Sequence, residues 1–195
     1  MIPALFLIGF TVIYRISTGL LIHSGTGWLS NFAPLAAIAL CGAVYFPTRL
    51  KFSIPLLALF ISDEVLNYYY GAPLLDPQII CRYLTLAFIG VLALSLQNRP
   101  SWKTLVPASI AASVIFYLIT NVFSWLSDPG YVKNVSGLIQ AVTVGLPQYR
   151  ATPTWMFFRN SLISDLIFTL LFVACFNFGQ NRSRAGAADS LPRVA

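Results

Sequence analysis

Polar side chains interrupt the long apolar stretches of this 195-residue chain, and most of them fall toward the same side if those stretches cross a membrane. The residues on this shared side are Arg15, Asp63, Glu64, Asn67, Cys81, Arg82, Thr120, Asn121, Arg159, Asn160 and Asp165. An ionised side chain at the centre of a bilayer costs about 2.5–3.5 kcal/mol, so such groups normally face partners or a wet cavity. The pattern therefore predicts a polar pocket that opens to one side of the membrane.

Helical spacing places some of these residues on common faces. Residues at i, i+4 and i+7 or i+8 share a helix face. Asp63, Asn67 and Tyr70 have the first of these spacings, and Tyr117, Asn121 and Trp125 have the second. Both faces are predicted to be cavity walls. Two alternatives stay open: Arg15 with Glu64 and Arg159 with Asp165 could be neutralised pairs that join helices, and the tyrosines could form an interfacial aromatic belt.

The cysteines suggest one further chemistry. Three thiols without a CxxC motif disfavour a thiol-disulfide oxidoreductase and a cysteine-cluster zinc site. Cys81 lies near the predicted mouth of the pocket, where the neighbouring Arg82 would favour the thiolate, a soft donor for a transition metal. A lone buried cysteine is more often simply a small apolar residue. His23 is the other metal-ligand candidate on that side.

The apolar stretches themselves predict an all-α integral membrane protein. Of its residues 57% are hydrophobic and 9% charged, and the mean hydropathy is +0.76, which excludes a soluble domain of this size. Six spans have about the length that a bilayer requires: 2–21, 29–46, 50–66, 79–96, 105–125 and 156–176. We expect a six-helix transmembrane substrate-binding domain over 1–177 and a disordered cytoplasmic tail over 178–195.

Basic residues set the predicted orientation. Lysine and arginine concentrate in alternate connections and the tail: Arg49, Lys51, Arg99, Lys103, Arg182, Arg184 and Arg193. Because such residues favour the cytoplasmic side, both termini should be cytoplasmic. The net charge of +6 is then explained by topology, and no nucleic-acid partner is needed. The long segment 127–155 lies on the opposite side, where its apolar part 135–144 is predicted to form a short helix in a lid.

Known catalytic motifs are missing from the sequence. It contains no phosphate loop of the form GxxxxGK[ST], no HExxH and no GxSxG, so the chain is not expected to hydrolyse ATP itself. The overall architecture and one short segment instead resemble those of a known family of membrane proteins. Six short helices, an outward pocket and the segment Gln78-Ile79-Ile80-Cys81-Arg82-Tyr83 at the start of the fourth span resemble the BtuM-like group of solitary, cobalamin-binding S components of energy-coupling factor (ECF) transporters.

That resemblance implies a ligand and a site. It implies a transporter in a bacterial inner membrane that binds cobalamin (vitamin B12), with the Cys81 thiolate as axial ligand of the cobalt. Amide and aromatic groups would surround the corrin ring, and the residues implied for this role are Asn67, Tyr69, Tyr70, Tyr83 and Tyr131. The same thiolate could promote loss of cyanide from cyanocobalamin, which is a hypothesis about enzymatic activity in a protein that is primarily a transporter.

The resemblance also bears on partners. ECF coupling modules dock on small-xxx-small motifs, but here Ala33 with Ala37 and Ala39 with Ala43 lie on the second span, where internal packing is their commoner role. A solitary protein that moves its ligand by facilitated diffusion is therefore expected, rather than one bound to an ECF or periplasmic module. Two alternatives from other classes stay open: an S component for another vitamin, and a membrane thiol enzyme that uses Cys81 with His23 as base.

Overall fold

The computed structural model describes residues 2–23, 32–71, 73, 76–98, 100–148 and 152–189. Within these residues the chain forms seven α-helices and no strand. The helices are α1 (Ile2–His23), α2 (Leu35–Tyr45), α3 (Ser53–Tyr70), α4 (Pro77–Ala93), α5 (Trp102–Ser127), α6 (Val135–Thr143) and α7 (Thr154–Asp189). The 3-10 turn Leu94–Leu96 extends α4. The prediction of an all-α chain is confirmed.

In the described part of the chain, three helical segments are long and apolar enough to cross a membrane: Pro77–Leu96, Trp102–Ser127 and Thr154–Gly179. Their length and composition indicate a membrane protein. Shorter apolar helices are Leu5–Leu21 and Leu35–Tyr45. The second predicted span, 29–46, differs most from the structure, because α2 has only 11 residues and rises about 17 Å against a hydrocarbon core of about 30 Å.

The short helix α2 lies at the centre of the bundle, packed against α3, α4, α5 and α7. Every residue from Ala36 to Val44 is buried. Its small residues allow this close packing: a Cβ on Gly42 would lie only 2.2 Å from Pro55 Cγ. The small-xxx-small residues Ala37, Ala39 and Ala43 are among those buried here, so they pack inside the bundle.

The two ends of the bundle differ in character. Helices α1, α3 and α5 end where α2, α4 and α7 begin, and we call this the α6 end because α6 packs there against α5 and α7. Toward the opposite end the interior is an apolar cluster that includes Leu7, Ile8, Leu40, Ile89, Leu105 and Phe172. The buried charges Arg15 and Asp63 therefore lie on the α6 side of this cluster, whereas the buried polar groups deeper in the bundle are hydroxyls, such as Thr169, which donates to Ser109 Oγ at 3.1 Å.

Local signals explain several helix boundaries. Pro77 stands at the first position of α4, where Asp76 accepts a 2.7 Å hydrogen bond from the Gln78 backbone N–H. The predicted short helix at 135–144 is confirmed as α6, which Asn134 caps by accepting a bond of 2.9 Å from the Gly137 N–H.

The C-terminal region departs from the sequence expectation. The sequence predicts disorder from residue 178, and the structure instead continues α7 to Asp189. Residues 178–189 include three Ala and two Arg, which have high helix propensity, and no proline occurs between Pro153 and Pro192. Arg99 and Arg193 lie outside the described residues, as do the side chains of His23, Arg182 and Arg184.

Candidate functional site

A cavity of about 370 Å³ opens among the helices at the α6 end. Every helix except α6 contributes to its wall. Examples are Arg15 from α1, Leu35 from α2, Asp63 from α3, Arg82 from α4, Tyr117 from α5 and Phe158 from α7. Its volume falls in the range of small-molecule binding sites. Because the apolar cluster fills the bundle toward the other end, the cavity is a pocket and not a channel through the described residues.

Asp63 is the electrostatic centre of this pocket. Its Oδ1 accepts hydrogen bonds from the guanidinium of Arg15 and, at 3.2 Å, from Arg82 Nη1. Its Oδ2 accepts a 2.8 Å bond from the Tyr83 hydroxyl. Arg15 also donates to Ser62 Oγ beside it on α3. One carboxylate therefore ties α1, α3 and α4 together.

The pocket carries an excess of positive charge. Among the described residues that line it, the charged ones are Arg15, Arg82 and Asp63, so two guanidinium groups face one carboxylate. The side chain of Arg15 is only 8% exposed, whereas that of Arg82 is 29% exposed. Arg82 is therefore the cation that a solute in the pocket would reach.

Amide groups add hydrogen-bonding capacity to the wall. Gln78 Nε2 donates to Thr120 O at 3.2 Å, and Asn121 Nδ2 donates to Tyr117 O at 2.8 Å. Asn67 differs, because its Nδ2 is buried and has no hydrogen-bond partner among the described residues. A buried donor without a partner is unusual in folded proteins. Because Asn67 also lines the cavity, this unsatisfied donor is a candidate hydrogen-bond partner for a ligand oxygen.

Aromatic rings form the apolar part of the same wall. Phe116, Phe157 and Phe158 line the pocket, and the rings of Tyr117 and Phe158 lie 4.8 Å apart. The Tyr117 hydroxyl donates a 2.5 Å hydrogen bond to Val142 O, which fixes α6 beside the cavity. The arrangement suits a solute with a charged head and an apolar body. That α6 moves as a lid over the pocket remains a prediction.

Comparison with known proteins identifies a family. The sequence model described as "Family of unknown function (DUF6580)" matches residues 1–187. The chain belongs to the DUF6580 family. No curated protein and no solved structure matches it. The whole polar pocket of this DUF6580 protein lies within the matched region.

The predicted wall residues fall into several environments in this DUF6580 structure. Asn67 and Tyr70 line the cavity as expected, and the Tyr70 hydroxyl donates to Gly19 O at 2.5 Å. Tyr83 supports the wall indirectly through its bond to Asp63. Tyr69 is 52% exposed, and Tyr131 is buried in the connection between α5 and α6. Of the second predicted face, Tyr117 and Asn121 line the cavity, whereas Trp125 donates a 3.0 Å bond to Val132 O.

Cys81 lies apart from the polar pocket. It lines an apolar groove between α4 and α5, with Ile80, Leu84, Phe88, Ile119 and Phe123. Successive helix residues are about 100° apart, so Arg82 can face the pocket while Cys81 faces the groove. The described residues contain no group of three or more His, Cys, Asp or Glu that could hold a metal ion.

The ion pairs suggested by the sequence are replaced by others. Arg15 pairs with Asp63 and not with Glu64, because Glu64 is the next residue around α3 and is exposed. Arg159 has no bond to Asp165: it donates to Asn160 Oδ1 at 3.1 Å and lies over the Trp155 ring.

Asp165 has a role that sequence reasoning missed. It is 1% exposed and accepts hydrogen bonds from the Ala37 backbone N–H at 2.9 Å and from Ser113 Oγ at 2.7 Å. Ala37 is in the first turn of α2, whose own N-cap position, Pro34, provides no side-chain cap. Asp165 on α7 therefore caps α2 from another helix. The only sequence signal is the absence of a capping side chain before α2.

Proposed function

We propose that this DUF6580 protein is a multi-pass membrane protein that binds a small anionic solute in the polar pocket and moves it across the membrane. The observation that carries the proposal is the excess positive charge in the pocket, where Arg15 and Arg82 share Asp63. A guanidinium group binds carboxylate or phosphate oxygens through two parallel hydrogen bonds. In a partly desolvated pocket such bonds are stronger than in water.

The membrane topology we propose has six crossings. Helices α1, α3, α4, α5 and α7 would cross, and the predicted second span, 29–46, which contains α2 and of which 29–31 lie outside the described residues, would be the sixth crossing. At the end opposite to α6, Arg49 and Lys51 lie in the connection between α2 and α3, and Lys103 lies in the first turn of α5. Lysine and arginine in short loops favour the cytoplasm, so the α6 end and the pocket would face outward. The proposed location is a bacterial inner membrane.

The chemistry of the wall supports one class of ligand. Arg82 would hold the anionic group, and Asn67 Nδ2 would donate to a second oxygen of the ligand. Phe116, Phe157 and Phe158 would contact an apolar body. Polar groups that fix orientation within a mostly apolar wall are typical of small-molecule sites.

Transport of a bound solute would require a change in the packing of the helices. Beneath the pocket the described residues form a packed cluster, mostly apolar, with no open passage to the opposite end. A solute held by Arg82 could therefore leave toward that end only after the helices rearrange, as in alternating-access proteins.

Substitution of Arg82 tests the proposal. Protein in lipid nanodiscs would be screened by thermal shift against carboxylates, phosphates and sulfonates, and hits measured by calorimetry. Loss of a charge-assisted hydrogen bond, worth about 1.5–3 kcal/mol, should raise the Kd of Arg82→Gln roughly ten- to a hundredfold. Lys103→Gln, which removes an exposed cation at the other end, is the matched control. Equal affinity in wild type and Arg82→Gln would reject the anionic site.

Cobalamin stays a prediction about the ligand, with its own test. The Cys81 thiolate could meet cobalt only if the corrinoid reached the groove between α4 and α5, because Cys81 does not line the polar pocket. Visible spectra of the purified protein with cobalamin, wild type beside Cys81→Ala, decide the point. A spectral shift in the wild type alone would establish thiolate ligation, and identical spectra would exclude it.

A further inference from the structure

Two charged side chains stand on otherwise apolar outer faces of the bundle. Glu64 and Arg159 are, within the described ranges, the two exposed charges that lie more than one turn inside a helix. On α3, Glu64 is surrounded by exposed Leu57, Phe60, Ile61, Val65 and Tyr68. On α7, Arg159 shares its face with exposed Trp155, Ile163, Ile167 and Leu170. Charged groups on lipid-facing surfaces are rare, and they normally have a partner.

Neither charge has an ion-pair partner in the part of the chain that the structure describes. Both ion pairs found there use Asp63. Arg159 donates to Asn160 Oδ1 through Nε and Nη2, at 3.2 Å and 3.1 Å, and its guanidinium carbon lies 5.7 Å from the centre of the Trp155 ring. These neutral contacts hold the guanidinium but leave its charge uncompensated.

The two charges lie at similar distances along their helices from the α6 end. Glu64 is six residues before Tyr70, the last residue of α3, and Arg159 is five residues after Thr154, the first residue of α7. At 1.5 Å per residue these positions are about 9 Å and 8 Å from the helix termini at the α6 end. Two copies side by side in one membrane would therefore bring opposite charges to one level.

Helix α1 suggests the symmetry of such a contact. It packs against both α3 and α7, and its exposed face is apolar, with Phe6, Phe10 and Ile13. Gly9 on this face has no side chain or other helix within 4 Å of the position that its Cβ would take. Small residues let helices approach closely in membranes. A two-fold axis beside α1 would place α3 of each copy opposite α7 of the other.

We propose that the protein forms a two-fold symmetric dimer in the membrane, in which Glu64 of each copy pairs with Arg159 of the other. The contact would bury two complementary ion pairs at the level of the pocket, flanked by the apolar faces of α1, α3 and α7. This dimer rests on the membrane placement proposed above and not on the ligand, so it can fail or hold independently of anion binding.

Charge reversal tests the pairing directly. Dimer fraction would be measured in lipid vesicles by single-molecule photobleaching, at protein densities low enough to avoid chance co-occupancy. Glu64→Arg and Arg159→Glu each place like charges together and should reduce the dimer fraction by at least about tenfold. The double variant restores opposite charges and should recover dimers. The proposal would be overturned if the wild type were monomeric, or if the dimer fraction of the double variant were no higher than that of the single variants.

Cross-linking gives a second test, which does not require the protein to fold and insert with reversed charges. In a Cys81→Ser, Cys175→Ala background, membranes containing one chain with Glu64→Cys and another with Arg159→Cys should give a disulfide-linked heterodimer on oxidation. Leu57→Cys is the matched control: it lies on the same face of α3 but seven residues, or about 10 Å, deeper. Equal cross-linking from both positions, or none from Glu64→Cys, would contradict the interface.

Discussion

Replacement of Asp63 by leucine is expected to lower the free energy of unfolding by about 3–5 kcal/mol. Asp63 is 3% exposed and compensates two guanidinium groups. Without it, Arg15 would stay buried with an uncompensated charge, whereas Arg82 could still be solvated through the pocket. The large cost comes from the charge left behind and not from the carboxylate that is lost.

Unfolding by SDS in mixed micelles measures this effect. Glu64→Leu, at the next position of α3, is the control, because Glu64 is exposed and its removal should leave monomer stability nearly unchanged. The double variant Arg15→Met with Asp63→Leu removes both members of the buried pair and should recover much of the loss. If the double variant were less stable than Asp63→Leu alone, the account of Asp63 as compensating charge would be wrong.

Replacement of Asp165 by alanine is the second large effect expected. It would remove the cap of α2 and leave the Ala37 N–H without its acceptor in the centre of the bundle. Loss of a cap costs about 0.5–2 kcal/mol and an unsatisfied buried donor about 1–3 kcal/mol, so a loss near 2–4 kcal/mol is expected. Because α2 packs against four other helices, the whole bundle should unfold at a lower mole fraction of SDS than the wild type does.

The isosteric variant Asp165→Asn separates capping from a need for negative charge. Its amide oxygen can still accept from Ala37 N–H, and its NH₂ can donate to Ser113 Oγ while Ser113 keeps its 2.9 Å bond to Ser109 O. We therefore expect Asp165→Asn to cost less than about 1 kcal/mol. A loss as large as that of Asp165→Ala would show that the carboxylate acts through its charge.

The two acids thus have different tasks around one pocket. Asp63 sets the charge that a solute meets, and Asp165 lies behind the wall, bonded to Ser113, and holds α2 in place. Anion binding should therefore depend on Arg82 and Asp63 through charge, whereas Asp165 should affect it only through folding. Measurement of Kd for Asp165→Asn beside its stability would separate these two contributions.

Much of the local structure could be predicted from the sequence. Apolar length gave the helices α1, α3, α4 and α5 and the start of α7 within a few residues, and the apolar stretch at 135–144 gave α6, whereas the end of α7 lies well beyond its predicted position. The spacing of Asp63, Asn67 and Tyr70 placed all three on the wall of the cavity. These inferences succeed because rise and rotation per residue are properties of a single helix, so sequence alone fixes depth and relative face.

Only the tertiary structure decided which groups meet. Asp63 and Glu64 are neighbours in sequence, and the packing of α1 against α3 selects Asp63 as the partner of Arg15 while Glu64 stays outside. The capping of α2 by Asp165 and the separation of Cys81 from the pocket are decided in the same way. The rotation of each helix about its own axis relative to its neighbours depends on how all the contacting faces pack together, and no single stretch of sequence contains that information.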